Sequence, residues 1–209
     1  MKHQTTPVIY LASASPRRHE ILVQMGVEHE ILHVPAPDGE DEPRLANEAP
    51  EVYVLRTARE KAIRATQWLA SQPGSTAKPL DAGRPVLSAD TTVILGNDIL
   101  GKPASPDDAC RMLARLSGNT HSVHTAVVLA YGDQILEDIS ITQVRFKPLS
   151  TKEIEAYCAT GEPMGKAGAY GIQGKAAVFI EHISGSYTGV MGLPVFETWR
   201  LLQTSQAQS

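Results

Sequence analysis

The sequence predicts a mixed α/β fold in which a sheet is flanked by helices. Three observations predict it. Strand-like and helix-like segments alternate through the first half of the chain, the pattern that builds parallel pairing. Two long strand-like runs, Thr120 to Tyr131 and Gln134 to Phe146, then meet at Gly132-Asp133, which is the pattern of an antiparallel hairpin. The chain has 209 residues, 42% hydrophobic and 20% charged, an ordinary balance for one sizeable α/β domain or two small units.

Taken in order, Val8 to Ala12 is a short buried strand, broken by Ser13 to Pro16. A helix follows over Arg17 to Met25, with Gly26 placed to end it. Glu28 to Val34 is a second strand. Pro35 to Pro50 holds four prolines and several acids, so it is a loop. Pro50 suits the first turn of a helix, along which Val52, Leu55, Ala58, Ala62, Ala65 and Leu69 recur at helical spacing as one apolar face. Ser71 to Arg84 reads as a long surface loop. Pro85 to Ala89 and Thr92 to Leu95 read as two strands, with a turn at Gly96-Asn97-Asp98. Ser105-Pro106-Asp107-Asp108 starts a helix that ends near Gly118, and Ser150 to Glu153 is a capping box opening another that stops at Gly161. Ala176 to Ile183 is a last strand, Pro194 opens the last helix, and the tail beyond Leu202 is expected to fray. There is no internal repeat.

The formal net charge is −4, which argues against a general grip on nucleic acid, since that rests on a basic surface. A small anionic substrate needs only a local positive cluster. Two cysteines, Cys110 and Cys158, give neither zinc spacing nor a disulfide framework and read as packing residues. No apolar run is long enough to span a bilayer, and the polar start, Met1 to Pro7, is unlike a signal peptide, so the expected location is cytoplasmic.

Five segments carry residues suited to chemistry. Ser13-Ala14-Ser15-Pro16-Arg17-Arg18 lies between strand and helix, where backbone N–H groups, two hydroxyls and two guanidinium groups can meet a phosphate. Cations at a helix N-terminus oppose the dipole, which an anion would relieve; the alternative is a serine cap followed by surface arginines. Asp90, in Ser88-Ala89-Asp90-Thr91-Thr92, interrupts apolar strand sequence and can hold a metal or take a proton, or simply make a turn. Lys102, before Pro103, can reach a phosphate as a point charge or stay solvated. Gly161 to Gly174 holds five glycines and lacks both P-loop and dinucleotide spacing; within it Tyr170 can stack on a base and Gln173 can read a base edge. Arg56, Arg59, Glu60 and Lys61 on the Pro50 helix form a salt-bridge face from which one cation can turn inward. His121 and His124, three apart in a strand, face opposite sides and make no site.

Together these segments resemble the Maf family of nucleoside triphosphate pyrophosphatases, over Val8 to Leu202 as a single domain, 8–202. The resemblance rests, in the family's order, on LASASPRR (Leu11 to Arg18), ADT (Ala89 to Thr91), GKP (Gly101 to Pro103), LSGNTH (Leu116 to His121), GEPMGKAGAYGIQG (Gly161 to Gly174) and GSYTGVMGLP (Gly185 to Pro194). It implies a curved mixed sheet with two lobes around a central cleft, similar to inosine triphosphatases. It implies hydrolysis of dTTP and UTP, the preference of the subgroup whose pattern Arg17, Thr91 and Gln173 match, and these three are implied to set base choice. Asp90 is the implied proton acceptor. Ser13, Arg18, Lys61 and Lys102 match the phosphate site. Glu42 in GEDEP is the best match to a family glutamate, with Glu40 next, and Asp90 and Glu42 would hold a divalent cation, Mg2+ or Mn2+. The implied partners are the nucleotide and, as dimers are common in the family, a second copy in a homodimer. A link to cell-division arrest or nucleotide-pool sanitation belongs to the same resemblance, and the alternative is a nucleotide-sensing regulator without significant turnover. The chain departs from the pattern at Gly165, where many relatives carry an acid.

Overall fold

The computed structural model describes residues 7–37, 43–72 and 80–207. Its strands are β1 (Ile9–Leu11), β2 (His29–Ile31), β3 (Val86–Leu95), β4 (Asp98–Leu100), β5 (Thr120–Tyr131), β6 (Gln134–Phe146) and β7 (Ile180–Ser184). The helices are α1 (Pro16–Gln24), α2 (Pro50–Ser71), α3 (Pro106–Leu116), α4 (Thr151–Cys158), α5 (Tyr187–Met191) and α6 (Val195–Ala207). The strands form one seven-stranded sheet in the order β2-β1-β3-β5-β6-β7, with β4 paired to β3. β1 pairs in parallel with both β2 and β3, whereas β3–β4 and β6–β7 are antiparallel. The mixed sheet expected from the sequence is therefore present.

The chain divides into two compact units. Unit 1 comprises Met1–Asp90, Ala126–Ile139 and Val195–Ser209; unit 2 comprises Thr91–Thr125 and Ser140–Pro194. In unit 1, the small side chains Ala58 and Ala62 of α2, with Val54, pack on Ala126, Val128 and Ala130 of β5. Alanines at these contacts let the helix axis lie close to the sheet. A second cluster joins Tyr10 of β1, Leu32, Ala65, Leu69 and Val86. Val52, expected on this apolar face, is 57% exposed; Val54 and Thr57 are buried instead, because the face is centred between Val54 and Ala58.

Unit 2 is built around edge-to-face aromatic contacts. His121 and Phe146 lie 5.0 Å apart, Phe146 and Tyr170 4.9 Å, and Tyr157 and Phe179 5.3 Å, the geometry that aromatic quadrupoles favour. The capping box of α4 forms as expected: Glu153 N–H donates to Ser150 Oγ at 3.3 Å and Ser150 N–H to Glu153 Oε2 at 2.8 Å. Ser105 caps α3 by accepting from Asp108 N–H.

Three expectations need correction, and one element was not foreseen. The segments on either side of Asp90 are one strand, β3, since the carboxylate finds partners without the backbone turning. Residues Lys175–Phe179 are a 3-10 helix, and β7 begins only at Ile180, where extended pairing with Phe146 becomes available. The helix opened by Pro194 runs on to Ala207 rather than fraying after Leu202, because Leu201, Leu202 and Ser205 are buried. The short helix α5 had no periodic signal, being only five residues long.

His121 and His124 are both buried. One ring nitrogen of His121 shares a hydrogen bond of 2.8 Å with the Tyr170 hydroxyl. Burial pushes the His121 imidazole down to about 4, from an ordinary 6.5. Since the folded value is depressed, this group supports the fold fully above pH 6.5, and that support is lost as pH falls toward 4. Thermal unfolding across this window should show a loss of up to about 3 kcal/mol from this residue. The His121→Gln variant, which keeps a polar group but cannot titrate, should show a flatter slope; an unchanged slope would refute the assignment.

Candidate functional site

Unit 1 holds five of the residues singled out from sequence, Ser13, Arg17, Arg18, Lys61 and Asp90, and links Ser13 to Arg18 and both Arg18 and Lys61 to Asp90. Its centre is Asp90, 5% exposed, at the point where β3 leaves the unit. Lys61 Nζ donates to Asp90 Oδ1 at 2.7 Å, and Thr57 Oγ1 donates to Asp90 Oδ2 at 2.9 Å. Thr57 and Lys61 are four apart on α2, so one helix face presents both donors to one carboxylate. Burial is the largest single influence on Asp90 and pushes its carboxyl up. The charge and hydrogen bond of Lys61, the charge of Arg18 and the hydrogen bond of Thr57 together outweigh it, so the group lies below the ordinary carboxylate range and is ionised.

The turn after β1 supplies the other groups. Ser13 Oγ accepts from Arg18 Nη1 at 3.1 Å and from Ser15 N–H at 3.2 Å, which fixes the turn that carries the guanidinium. α1 opens with Pro16, Arg17 and Arg18, has no acid in its first turn, and receives no side-chain cap from Ser15. A helix N-terminus of this kind favours an anion.

The neighbouring cations of α2 are used differently. Arg56 pairs with Glu48 at 2.6 Å and with Glu60 at 3.0 Å, and Arg59 pairs with Glu137. Lys61 is the cation of that face that turns to the buried acid. Thr57 was not singled out from sequence; its signal was a hydroxyl one turn before Lys61 on a face otherwise read as packing.

Unit 2 holds Thr91, Lys102 and Gln173. Thr125 Oγ1 approaches Thr91 Oγ1 at 3.1 Å and donates to Gly189 O at 2.8 Å. Lys102 and Gln173 are exposed. Glu42 and its alternative Glu40 lie outside the described residues. Gly165 has φ +73° with open space where a side chain would point, a left-handed conformation that glycine adopts freely and that a side chain takes up only under strain. Cys110 and Cys158 are unbridged and partly buried; burial and the Cys110 thiol push the Cys158 thiol up to about 12, which disfavours its thiolate form. Among the described residues no helix is long and apolar enough to cross a membrane.

The chain is 56% identical over 199 residues to the dTTP/UTP pyrophosphatase of Bordetella pertussis (strain Tohama I), covering 95% of this chain and 93% of that protein. It is 57% identical over 197 residues to the protein of the same name from Bordetella avium, covering 94% of each. The corresponding protein of Cupriavidus metallidurans is 50% identical over 202 residues, covering 95% of this chain and 96% of that one. Among solved structures, the Staphylococcus aureus Ham1 protein aligns with a TM-score of 0.42 at 13% identity, over 66% of this chain and 71% of that one, a likeness too slight to define the fold. The model of the Maf-like protein family matches residues 8–205, and the chain belongs to that family.

Proposed function

We propose that this protein hydrolyses nucleoside triphosphates, dTTP and UTP in particular, to the monophosphate and pyrophosphate. The observation that carries the reading is Asp90: a buried carboxylate kept ionised by Lys61 and Arg18, beside a cationic turn at a helix N-terminus. The family and the relatives named dTTP/UTP pyrophosphatase give it the substrate.

In this mechanism Arg18 and Lys61 offset phosphate charge, and Ser13 keeps Arg18 in place. Asp90 accepts a proton from water as the water oxygen bonds to the α-phosphorus. The bond from that phosphorus to the bridging oxygen of the β-phosphate breaks, and pyrophosphate leaves with that oxygen. Placement and charge stabilisation supply most of the acceleration. Arg17, Thr91 and Gln173 are proposed to select the base, and Lys102 to meet phosphate.

A divalent cation, Mg2+ or Mn2+, belongs to the proposal. The carboxylate of Asp90 offers hard oxygen donors of the kind these ions take. Among the described residues no three His, Cys, Asp or Glu cluster as a metal cage. A magnesium-type ion takes one or two carboxylates and completes its shell with phosphate and water. Asp90 and Glu42 would hold it, and the chemistry it supplies when bound is neutralisation of charge on phosphate oxygens.

The test is pyrophosphate release from a panel of pyrimidine and purine triphosphates with Mg2+, Mn2+ or chelator. One pyrophosphate per monophosphate, fastest with dTTP and UTP and abolished by chelator, is expected. Release of three orthophosphates, or tight nucleotide binding without turnover, would overturn it. A cytoplasmic location and a homodimer are part of the same reading; sedimentation tests the latter.

A further inference from the structure

In unit 2 a single carboxylate holds both ends of the turn that carries Gln173. Gly174 N–H donates to Gly171 O at 3.0 Å, which closes a four-residue turn with Gln173 exposed at its third position. At the near end, Gly171 N–H donates to the Tyr157 hydroxyl at 3.3 Å, and that hydroxyl donates to Glu162 Oε1 at 3.0 Å. At the far end, Lys175 N–H donates to Glu162 Oε2 at 3.1 Å.

Glu162 is itself anchored. Its N–H donates to Thr160 Oγ1 at 3.2 Å, and its carbonyl accepts from Lys166 Nζ. A methyl group at Gly174 would overlap the Glu162 carboxylate, and one at Gly171 would meet the stem of Lys166 at 3.1 Å. The glycines of this turn are therefore spaces that two side chains occupy, rather than points of looseness.

We propose that Glu162 is a positioning residue for nucleobase selection, acting through the Gly171–Gly174 turn to aim the Gln173 amide. This deepens the reading above and rests on the base-selecting role given there to Gln173. Only an acceptor with two oxygens can serve Tyr157 and Lys175 together. A glutamine at position 162 has a single oxygen, so the bond from the Tyr157 hydroxyl or the bond from Lys175 N–H is lost or reversed and the turn is held in a different geometry.

The test compares kcat/KM for dTTP with that for GTP in four variants: Gln173→Ala, Glu162→Gln, their double, and Tyr157→Phe. Gln173→Ala should lower the dTTP:GTP ratio about tenfold, the order expected when one oriented polar contact is lost. Glu162→Gln should lower it by a similar factor, through KM for dTTP, with kcat held within about twofold. The double variant should be no worse than either single, since both act on one contact. If Gln173→Ala lowers the ratio and Glu162→Gln leaves it unchanged, the positioning role fails while the role of Gln173 stands. Equal loss of kcat for both nucleotides in Glu162→Gln marks a general structural role and also overturns the inference. An unchanged ratio in Gln173→Ala removes the base-selecting role and the positioning role with it. Should Glu162→Gln fail to fold, Tyr157→Phe, which removes only the bridging hydroxyl, must lower the ratio; if it does not, the inference is refuted.

Discussion

Asp90→Asn is expected to reduce turnover ~100-fold or more while leaving the protein folded, the scale of loss for a positioned general base or metal-binding carboxylate. The substitution keeps the shape of the side chain. The amide oxygen can still accept from Lys61 or Thr57, so one of the two bonds survives. Lys61 is 18% exposed and keeps some access to water, which limits the cost of losing its counter-charge to about 1–3 kcal/mol. Steady-state kinetics with dTTP, alongside circular dichroism, distinguish the outcomes. Near-normal turnover in a folded Asp90→Asn protein would dismiss Asp90 as the proton acceptor.

The second large effect is expected at Lys61. Lys61→Met keeps most of the apolar stem but strips Asp90 of the two strongest influences that oppose its burial. A buried carboxylate that has lost its main counter-charge should destabilise the protein by ~3 kcal/mol near neutral pH. With those influences gone, burial weighs more heavily against Arg18, Thr57 and the rest, so the Asp90 carboxyl must rise relative to the parent protein. The sign of the pH effect follows. In the parent the depressed Asp90 contributes stability that is lost only as pH falls through its low folded value. In the variant the carboxylate takes up its proton at higher pH, so the stability gap between the two proteins should narrow on acidification. The acid limb of any residual activity should move to higher pH. Urea midpoints measured from neutral pH downward check the first statement; a gap that is constant or widens would show that the pair does not set the ionisation of Asp90.

Much of the site was legible because its parts are local. The Ser13 to Arg18 turn announces itself by two arginines at the wrong end of a helix dipole, and the structure places Arg18 on Ser13 and within electrostatic reach of Asp90. The Ser150 capping box and the hairpin at Gly132-Asp133 are likewise short-range patterns, and both formed. What sequence could not supply was long-range pairing. Thr57 and Asp90 are 33 positions apart, and nothing in either neighbourhood marks the other. The same blindness split β3 at Asp90, since an acid in an apolar strand reads as an ending unless its distant partners are known. Glu162 was passed over because a glycine-rich run suggests freedom, whereas its turn is tied at both ends by a residue 9 to 13 positions away.

The division into two units has an optical consequence. Both tryptophans, Trp68 and Trp199, fall in unit 1, so the indole emission of the whole protein originates there. Unit 2 carries Tyr157 and Tyr170 in its edge-to-face stack, a rigid asymmetric setting of the kind that gives near-ultraviolet dichroism. Native fluorescence thus reports on unit 1, whereas tyrosine ellipticity draws on both units, with Tyr10, Tyr53 and Tyr131 in unit 1 and Tyr157, Tyr170 and Tyr187 in unit 2. Superimposable curves during chemical denaturation would mark a single cooperative transition, and separated curves would resolve two.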